Sequence, residues 1–227
     1  MAVMDMVFDA SSIITLSTTC LFNVLKSLKN SFSGDFVISD SVERECVIRP
    51  LEIRRFELNA FRVKKGIDDG WIKVKTIDVE TKKLAEEITF LANNSFFADN
   101  KPLNLMHLGE VESLALMNSL NTNLLTIDER TTRMVFEEPN ALRRRLQEKY
   151  KTTVSLDNKN LKKLNEIVKE IKVFRSTELI ALAFEKNLFD SELVHNKESL
   201  EAALFALKYN GCSVTADEIL DFVSKVK

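Results

Sequence analysis

The chain has 227 residues, 45% of them hydrophobic and 29% charged, which suits one large globular domain or one domain with a modest appendage. Its net charge of −2 offers nucleic acid no global attraction, so any such contact must come from local patches. No apolar run approaches the roughly 18 residues of a membrane span, and an N-terminus carrying Asp5 and Asp9 in place of a basic segment argues against a signal peptide, so a cytoplasmic location is expected.

Val3 to Phe8 reads as a short buried strand, and Ser11 to about Lys29 as the helix that follows it. Phe36-Val37-Ile38 is a second strand, set between Gly34 and Ser39-Asp40. Asp40 with Glu43 three residues on resembles a capping box, so a helix should start there and carry Glu45 in its first turns. Pro50 breaks or restarts that helix, which runs on to Lys65. Gly66 and Asp68-Asp69-Gly70 then turn the chain into a third strand, Trp71 to Val74. Leu84, Ile88 and Leu91 give residues 80 to 93 an apolar face at helical period. Asn93 to Leu105 carries no pattern and is expected to be a loop. Leu108 to Leu120 reads as a helix and Asn123 to Ile127 as a strand. Short apolar strands alternating with helices in this way indicate a doubly wound parallel α/β sheet.

Beyond Thr131, Pro139 and Asn140 interrupt one helix and start another that continues through Arg145 to Tyr150. Two segments compete for the fifth strand, Thr152 to Leu156 and Ile171 to Phe174. The second is preferred, because Ser176-Thr177 then opens an apolar helix at Leu179, Ile180 and Leu182. On that choice residues 137 to 170 are a helical insertion in an α/β domain of residues 1 to 190, and residues 191 to 227 are a helical C-terminal extension packed on it. The extension holds one helix from Lys197 to Tyr209, stopped by Asn210-Gly211, and a second opened by the capping box Thr215-Ala216-Asp217-Glu218. Leu200, Ala203, Leu204 and Leu207 form one apolar stripe, and Ile219, Phe222 and Val223 another. Both suit packing on the chain's own core, or on a second copy.

Four acidic residues stand where a strand hands over to a helix or just inside one: Asp9, Glu45, Glu110 and Asp128. Carboxylates gathered without counter-charge repel one another, and a divalent cation is the usual remedy. Each also has a plainer role. Asp9 suits the N-cap of the helix after it, Glu110 suits the positive end of a helix dipole, and Glu45 is an ordinary helical surface residue. Glu43 and Glu112 lie two residues from Glu45 and Glu110, on other helix faces. Asp128 repeats the flanks of Asp9, and two such strand ends say more than one. Ser11 presents a hydroxyl or an amide to a metal shell or to a phosphate at the helix N-terminus. Gly109 is expected to provide a tight turn before Glu110.

Cys20, Cys46 and Cys212 are too widely spaced for a zinc motif, and their odd number argues against a disulfide framework. His107 and His195 have no soft ligand near them in sequence. Oxygen ligands of this kind point to magnesium or manganese. Two basic runs could make local nucleic-acid patches or be solvated helix faces: Arg49, Arg54, Arg55, Arg62, Lys64 and Lys65, and then Arg143, Arg144 and Arg145.

The succession Phe8-Asp9-Ala10-Ser11, Val42-Glu43-Arg44-Glu45, Gly109-Glu110-Val111-Glu112-Ser113-Leu114-Ala115-Leu116, and Leu125-Thr126-Ile127-Asp128-Glu129-Arg130 with Arg133 resembles the PIN-domain nucleases. The likeness covers residues 3 to about 136, and its first and third motifs are the most specific. Val173 to Leu188 also resembles the family's last strand and helix, although Arg175-Ser176-Thr177 lacks the glycine often found there. The resemblance implies a five-stranded parallel sheet in the order 3-2-1-4-5 and a Mg²⁺ or Mn²⁺ site at its carboxyl edge. It places that site on Asp9, Glu45, Glu110 and Asp128 with Ser11 as the small polar residue, and it implies cleavage of RNA. Homodimers and antitoxin-like protein partners are found in the resembled family. The insertion and the tail depart from its smallest members, the toxins of toxin–antitoxin pairs.

Two rivals remain. A phosphotransfer domain with Asp9 as nucleophile usually wants a second acid close behind it and a late strand-end lysine; Ser11 stands at the first place and no lysine follows Ile127-Asp128. A non-catalytic adaptor would use the α/β core as scaffold and the helical tail to bind protein or RNA. No G-x-x-x-x-G-K-[ST] or G-x-G-x-x-G loop supports nucleotide binding by those routes.

Overall fold

The computed structural model describes residues 4–189 and 192–226. Val3, the expected start of the first strand, and residues 190 and 191, where the α/β domain was expected to meet the extension, lie outside the described residues.

Among those residues the chain forms eight strands: β1 (Met6–Phe8), β2 (Phe36–Ser39), β3 (Ile72–Lys75), β4 (Phe96–Ala98), β5 (Lys101–Pro102), β6 (Leu124–Thr126), β7 (Val154–Leu156) and β8 (Lys172–Phe174). Five of them make a parallel sheet in the order β3-β2-β1-β6-β8, the 3-2-1-4-5 arrangement expected. The chain steps outward from β1 to β3, then returns to the other side of β1. The topological switch point therefore lies between β1 and β6, where such sheets open a crevice at their carboxyl ends.

Period-two alternation assigns the strand side chains to two cores. Met6, Phe8, Phe36 and Ile38 face one cluster, while Val7, Val37, Leu125 and Ile127 face the other. The first face is covered by α1 (Ala10–Thr18) and α2 (Phe22–Ser31). A short α3 (Asp40–Glu43) then leads into a π-helical turn over Arg44–Ile48, a 3-10 turn at Pro50–Glu52, and α4 (Glu57–Asp68). The second face is covered by α5 (Val79–Asn93), α6 (Leu108–Ser119), α7 (Arg130–Glu137), α8 (Pro139–Tyr150) and α9 (Asn158–Ile167). No described helix is long and apolar enough to cross a membrane.

Three local expectations need correction. Ser11 to Lys29 is not one helix: α1 stops at Thr18, because Thr19 adopts an extended ψ of 169°. Its hydroxyl bonds back to the Leu16 carbonyl and accepts the Leu21 amide, an alternative to continuing the helix. The cap of α3 is Ser39, which accepts the Val42 amide at 3.2 Å, and Asp40 lies inside the helix. Residues 93–105 are not a plain loop. Asp99 and Asn100, with φ of 48° and 61°, make a two-residue turn between β4 and β5, with Ala98 opposite Lys101. Both competitors for the fifth strand are strands. Residues 172–174 join the main sheet as preferred, and 154–156 pair antiparallel with β4 in a small second sheet.

After α10 (Ser176–Glu185), the last helices are α11 (Lys197–Tyr209) and α12 (Ala216–Lys225). Leu200, Ala203, Leu204, Leu207, Ile219 and Val223 are buried in the same cluster as Phe8 and Phe36. Leu207 is fully buried, so Leu207→Ala should cost about 2–5 kcal/mol of stability through lost burial and a residual cavity. Urea unfolding measures this directly; a loss below about 0.5 kcal/mol, the size of a surface change, would contradict the packing described.

Candidate metal centre

Asp9 and Asp128 are brought together by the parallel pairing of β1 with β6, in which Phe8 lies opposite Thr126. The Asp9 amide donates to the Thr126 carbonyl at 2.9 Å, and the Ser12 hydroxyl donates to the Asp9 and Thr126 carbonyls. Ser11 links the two aspartates. Its amide and hydroxyl donate to Asp9 Oδ2 at 2.9 and 2.6 Å, and its oxygen accepts the Asp128 amide at 3.0 Å. The N-cap role considered for Asp9 is therefore real, and it coexists with a place at the switch point.

Glu45 enters from the π-helical turn, a geometry in which one wide turn re-aims the side chains around it. It is half-buried, with its Oε1 3.2 Å from the place a β-carbon on Gly109 would occupy. Gly109 lies inside α6, and its φ is not in the left-handed region, so the expected tight turn is not its reason. The missing side chain leaves room for the Glu45 carboxylate. Glu110 lies in the first turn of the same helix and is 8% exposed. Its Oε2 accepts the His107 amide at 2.7 Å, and its Oε1 accepts the Thr132 hydroxyl at 2.7 Å. Glu112 accepts the Ser41 hydroxyl, and its charge also acts on Glu45.

Asp128 is fully buried, with Oδ1 accepting the Ser176 amide at 2.7 Å and Oδ2 accepting the Ser176 hydroxyl at 2.8 Å. Thr132 and Ser176 were missed as partners of the acidic residues. Ser176 was visible only as the opening residue of α10, and the pairing of β6 with β8 is what sets it beside Asp128.

Electrostatics tie the acids to one another. Burial pushes Asp9 upward from the ordinary carboxylate range; the Ser11 and Ala10 hydrogen bonds oppose the shift and the Asp128 charge adds to it. Burial and then the charge of Asp9 push Glu45 upward, against Arg49 and His107. Burial drives Glu110 to about 7, opposed by the His107 amide and Thr132 and reinforced by Asp9 and Glu129. Asp9 is thus the hub that each of the other three faces. The ion pairs among the described residues reach none of the four acids.

An all-oxygen donor set with uncompensated negative charge suits a hard divalent cation. Among the described residues, however, no group of three or more His, Cys, Asp or Glu side chains stands ready to hold an ion as the side chains are placed. The donors match a cation in chemistry, but binding one here would require a shift of side chains. Glu45 is the one with solvent access to make it.

A doubly wound parallel sheet in this order, with acidic side chains crowded at its switch point, defines a PIN-like α/β protein. The chain belongs to the PIN-domain family: a family model described as DUF3368, PIN domain, matches residues 5–140, the stretch that carries all four acids. PIN domains are generally nucleases and typically use divalent metals, and the family often binds RNA and antitoxin partners. No curated protein and no solved structure gives a significant match to the chain.

Proposed function

We propose that the protein is a metal-dependent endoribonuclease, with Asp9, Glu45, Glu110 and Asp128 holding Mg²⁺ or Mn²⁺ and Ser11 orienting Asp9. The observation that carries this reading is geometric: paired strand ends set Asp9 beside Asp128, bridged by Ser11. Glu45 and Glu110 both lie near enough to feel the Asp9 charge, and among the described residues none of the four has an ion-paired cation. A bound cation would supply Lewis-acid activation of water and stabilisation of the leaving 3′-oxygen as the P–O bond breaks. The chain's own contribution is preorganisation. Ser11 fixes the carboxylate of Asp9, Ser176 fixes that of Asp128, and Thr132 with the His107 amide fixes that of Glu110. Because Asp9, Glu110 and Asp128 are buried, little water competes for charge there.

The direct test is incubation of single-stranded RNA with the protein in Mn²⁺ and in EDTA. Cleavage restricted to the Mn²⁺ reaction is expected, and equal cleavage in EDTA would sink the reading. A second test uses Gly109→Ala. The added methyl favours helix by about 0.5–1 kcal/mol but presses on Glu45 Oε1 at 3.2 Å. The variant should be at least as stable as wild type, yet bind Mn²⁺ about tenfold more weakly, the usual scale for disturbing a ligand's support. Calorimetric titration with unchanged affinity would contradict the role given to Glu45.

A partner-binding role is the second reading, favoured by the exposed apolar residues Ile48, Ile53, Phe56, Leu58 and Phe61 just beyond Glu45. Arg49, Arg54 and Arg55 are exposed among them, so an acidic protein segment suits this face better than a second copy of the same positive surface. An RNA assay with no Mn²⁺-dependent cleavage would move the balance to this reading.

A further inference from the structure

Of the two basic runs in the sequence, one lines a groove beside the candidate centre, reached through Arg175 and the neighbouring Ser176 that binds Asp128. Arg130 opens α7 two residues after Asp128, and Arg130, Arg133, Arg144, Arg145 and Arg175 all line a groove of about 570 Å³ between α7, α8 and the starts of α10 and α12. The C-terminal tail ties the arginines of this groove to the Asp128 turn. The Ser213 amide donates to the Asp128 carbonyl at 3.2 Å, and the Ser213 hydroxyl accepts Arg130 Nε at 2.7 Å. The Ser213 carbonyl accepts Arg175 at 3.3 Å and Arg133 at 3.5 Å. One residue from outside the family match thus ties the Asp128 turn to three arginines.

Acids line the groove as well. Glu178 and Glu218 are both committed to Arg175. Glu137, Glu138 and Glu148 are exposed, and among the described residues none of them forms an ion pair with Arg130, Arg133, Arg144 or Arg145. Four guanidinium groups therefore keep their charge available along the groove. Arg144 and Arg145 are the exposed pair on the α8 side. Guanidinium forks spaced along a groove match the successive phosphates of a nucleic-acid backbone, and in a chain of net charge −2 only such a local array supplies the attraction.

We infer that this groove is the track along which the phosphodiester backbone of a single-stranded nucleic acid leaves the Asp9–Asp128 crevice. The inference builds on the nuclease reading but does not share its test, because binding is measured without catalysis. The shared chemistry is the phosphate backbone, so RNA and DNA strands are both probes. In the Asp9→Asn protein, fluorescence anisotropy of labelled oligouridine and oligodeoxythymidine is followed through a salt titration. Arg144→Glu with Arg145→Glu should weaken binding of both strands about tenfold or more, and flatten the dependence on salt by about two phosphate contacts. The control, Lys82→Glu with Lys83→Glu, makes the same charge change on α5, outside both basic runs, and should leave affinity within about threefold, the effect of a distant, screened charge. Circular dichroism melting confirms the fold of both, since Arg144, Arg145, Lys82 and Lys83 are all exposed.

An unchanged affinity and salt slope, an equal loss in the control, or no binding of either strand before substitution would overturn the inference. Metal-dependent cleavage by wild type alongside any of these would leave the nuclease reading standing. Groove-dependent binding without cleavage would do the reverse.

Discussion

Asp9→Asn is expected to lower Mn²⁺-dependent RNA hydrolysis by about a thousandfold or more while the protein stays folded. Folding survives because asparagine keeps an oxygen for the Ser11 amide and caps α1 about as well as aspartate. Activity falls because the substitution removes the charge that Glu45 and Glu110 both face. The same loss relieves repulsion, so the variant without metal should melt no lower than wild type. A folded variant with normal cleavage would remove Asp9 from the site.

The second large effect is on stability. Asp9, Glu45 and Glu110 are all raised in the folded protein, Glu110 from 4.5 to about 7. For such groups the folded state holds protons that the unfolded state has released. Stability is therefore fullest below the unfolded value and is lost as pH rises through the folded one. The window for Glu110 is 4.5 to about 7, and its contribution is on the order of 3 kcal/mol. A divalent cation reverses this cost, since it binds the deprotonated carboxylates. Mn²⁺ at about a hundred times its Kd should add about 2.7 kcal/mol, which raises Tm by roughly 5–10 °C in a chain of this length. That gain should be large at pH 8 and small at pH 5. Thermal melts at both values, with and without Mn²⁺, measure it; a Tm indifferent to the metal at pH 8 would deny the linkage.

Much of the fold was legible because the strands are short apolar runs whose neighbours change character abruptly. Val7, Val37 and Leu125 sit in uninterrupted apolar segments, as strands buried on both faces require. The order of the sheet followed from the family resemblance. The break after Thr18 was not legible, since no glycine or proline marks it and the hydroxyl of Thr19 ends the helix. The β4–β5 hairpin was missed for a different reason. Its Asp99-Asn100 turn was present to be read, but strands of two and three residues lack a period, and β7, which stabilises them, lies more than fifty residues away.

The acids themselves were legible one by one, since each sits at a strand end or in the first turns of a helix. Their supports were not. Ser176 reaches Asp128 across 48 residues, Thr132 reaches Glu110 across 22, and Ser213 reaches the Asp128 carbonyl from the tail. Gly109 was marked for the wrong cause: its value lies in the space it leaves for Glu45, which only the juxtaposition of the π-helical turn with α6 reveals.

Crystals soaked in Mn²⁺ and measured at the manganese absorption edge test the central claim most directly. An anomalous peak within coordination distance of the Asp9 carboxylate, with Glu45 or Glu110 drawn to it, is the result expected. A peak elsewhere, or none at this crevice, would contradict it.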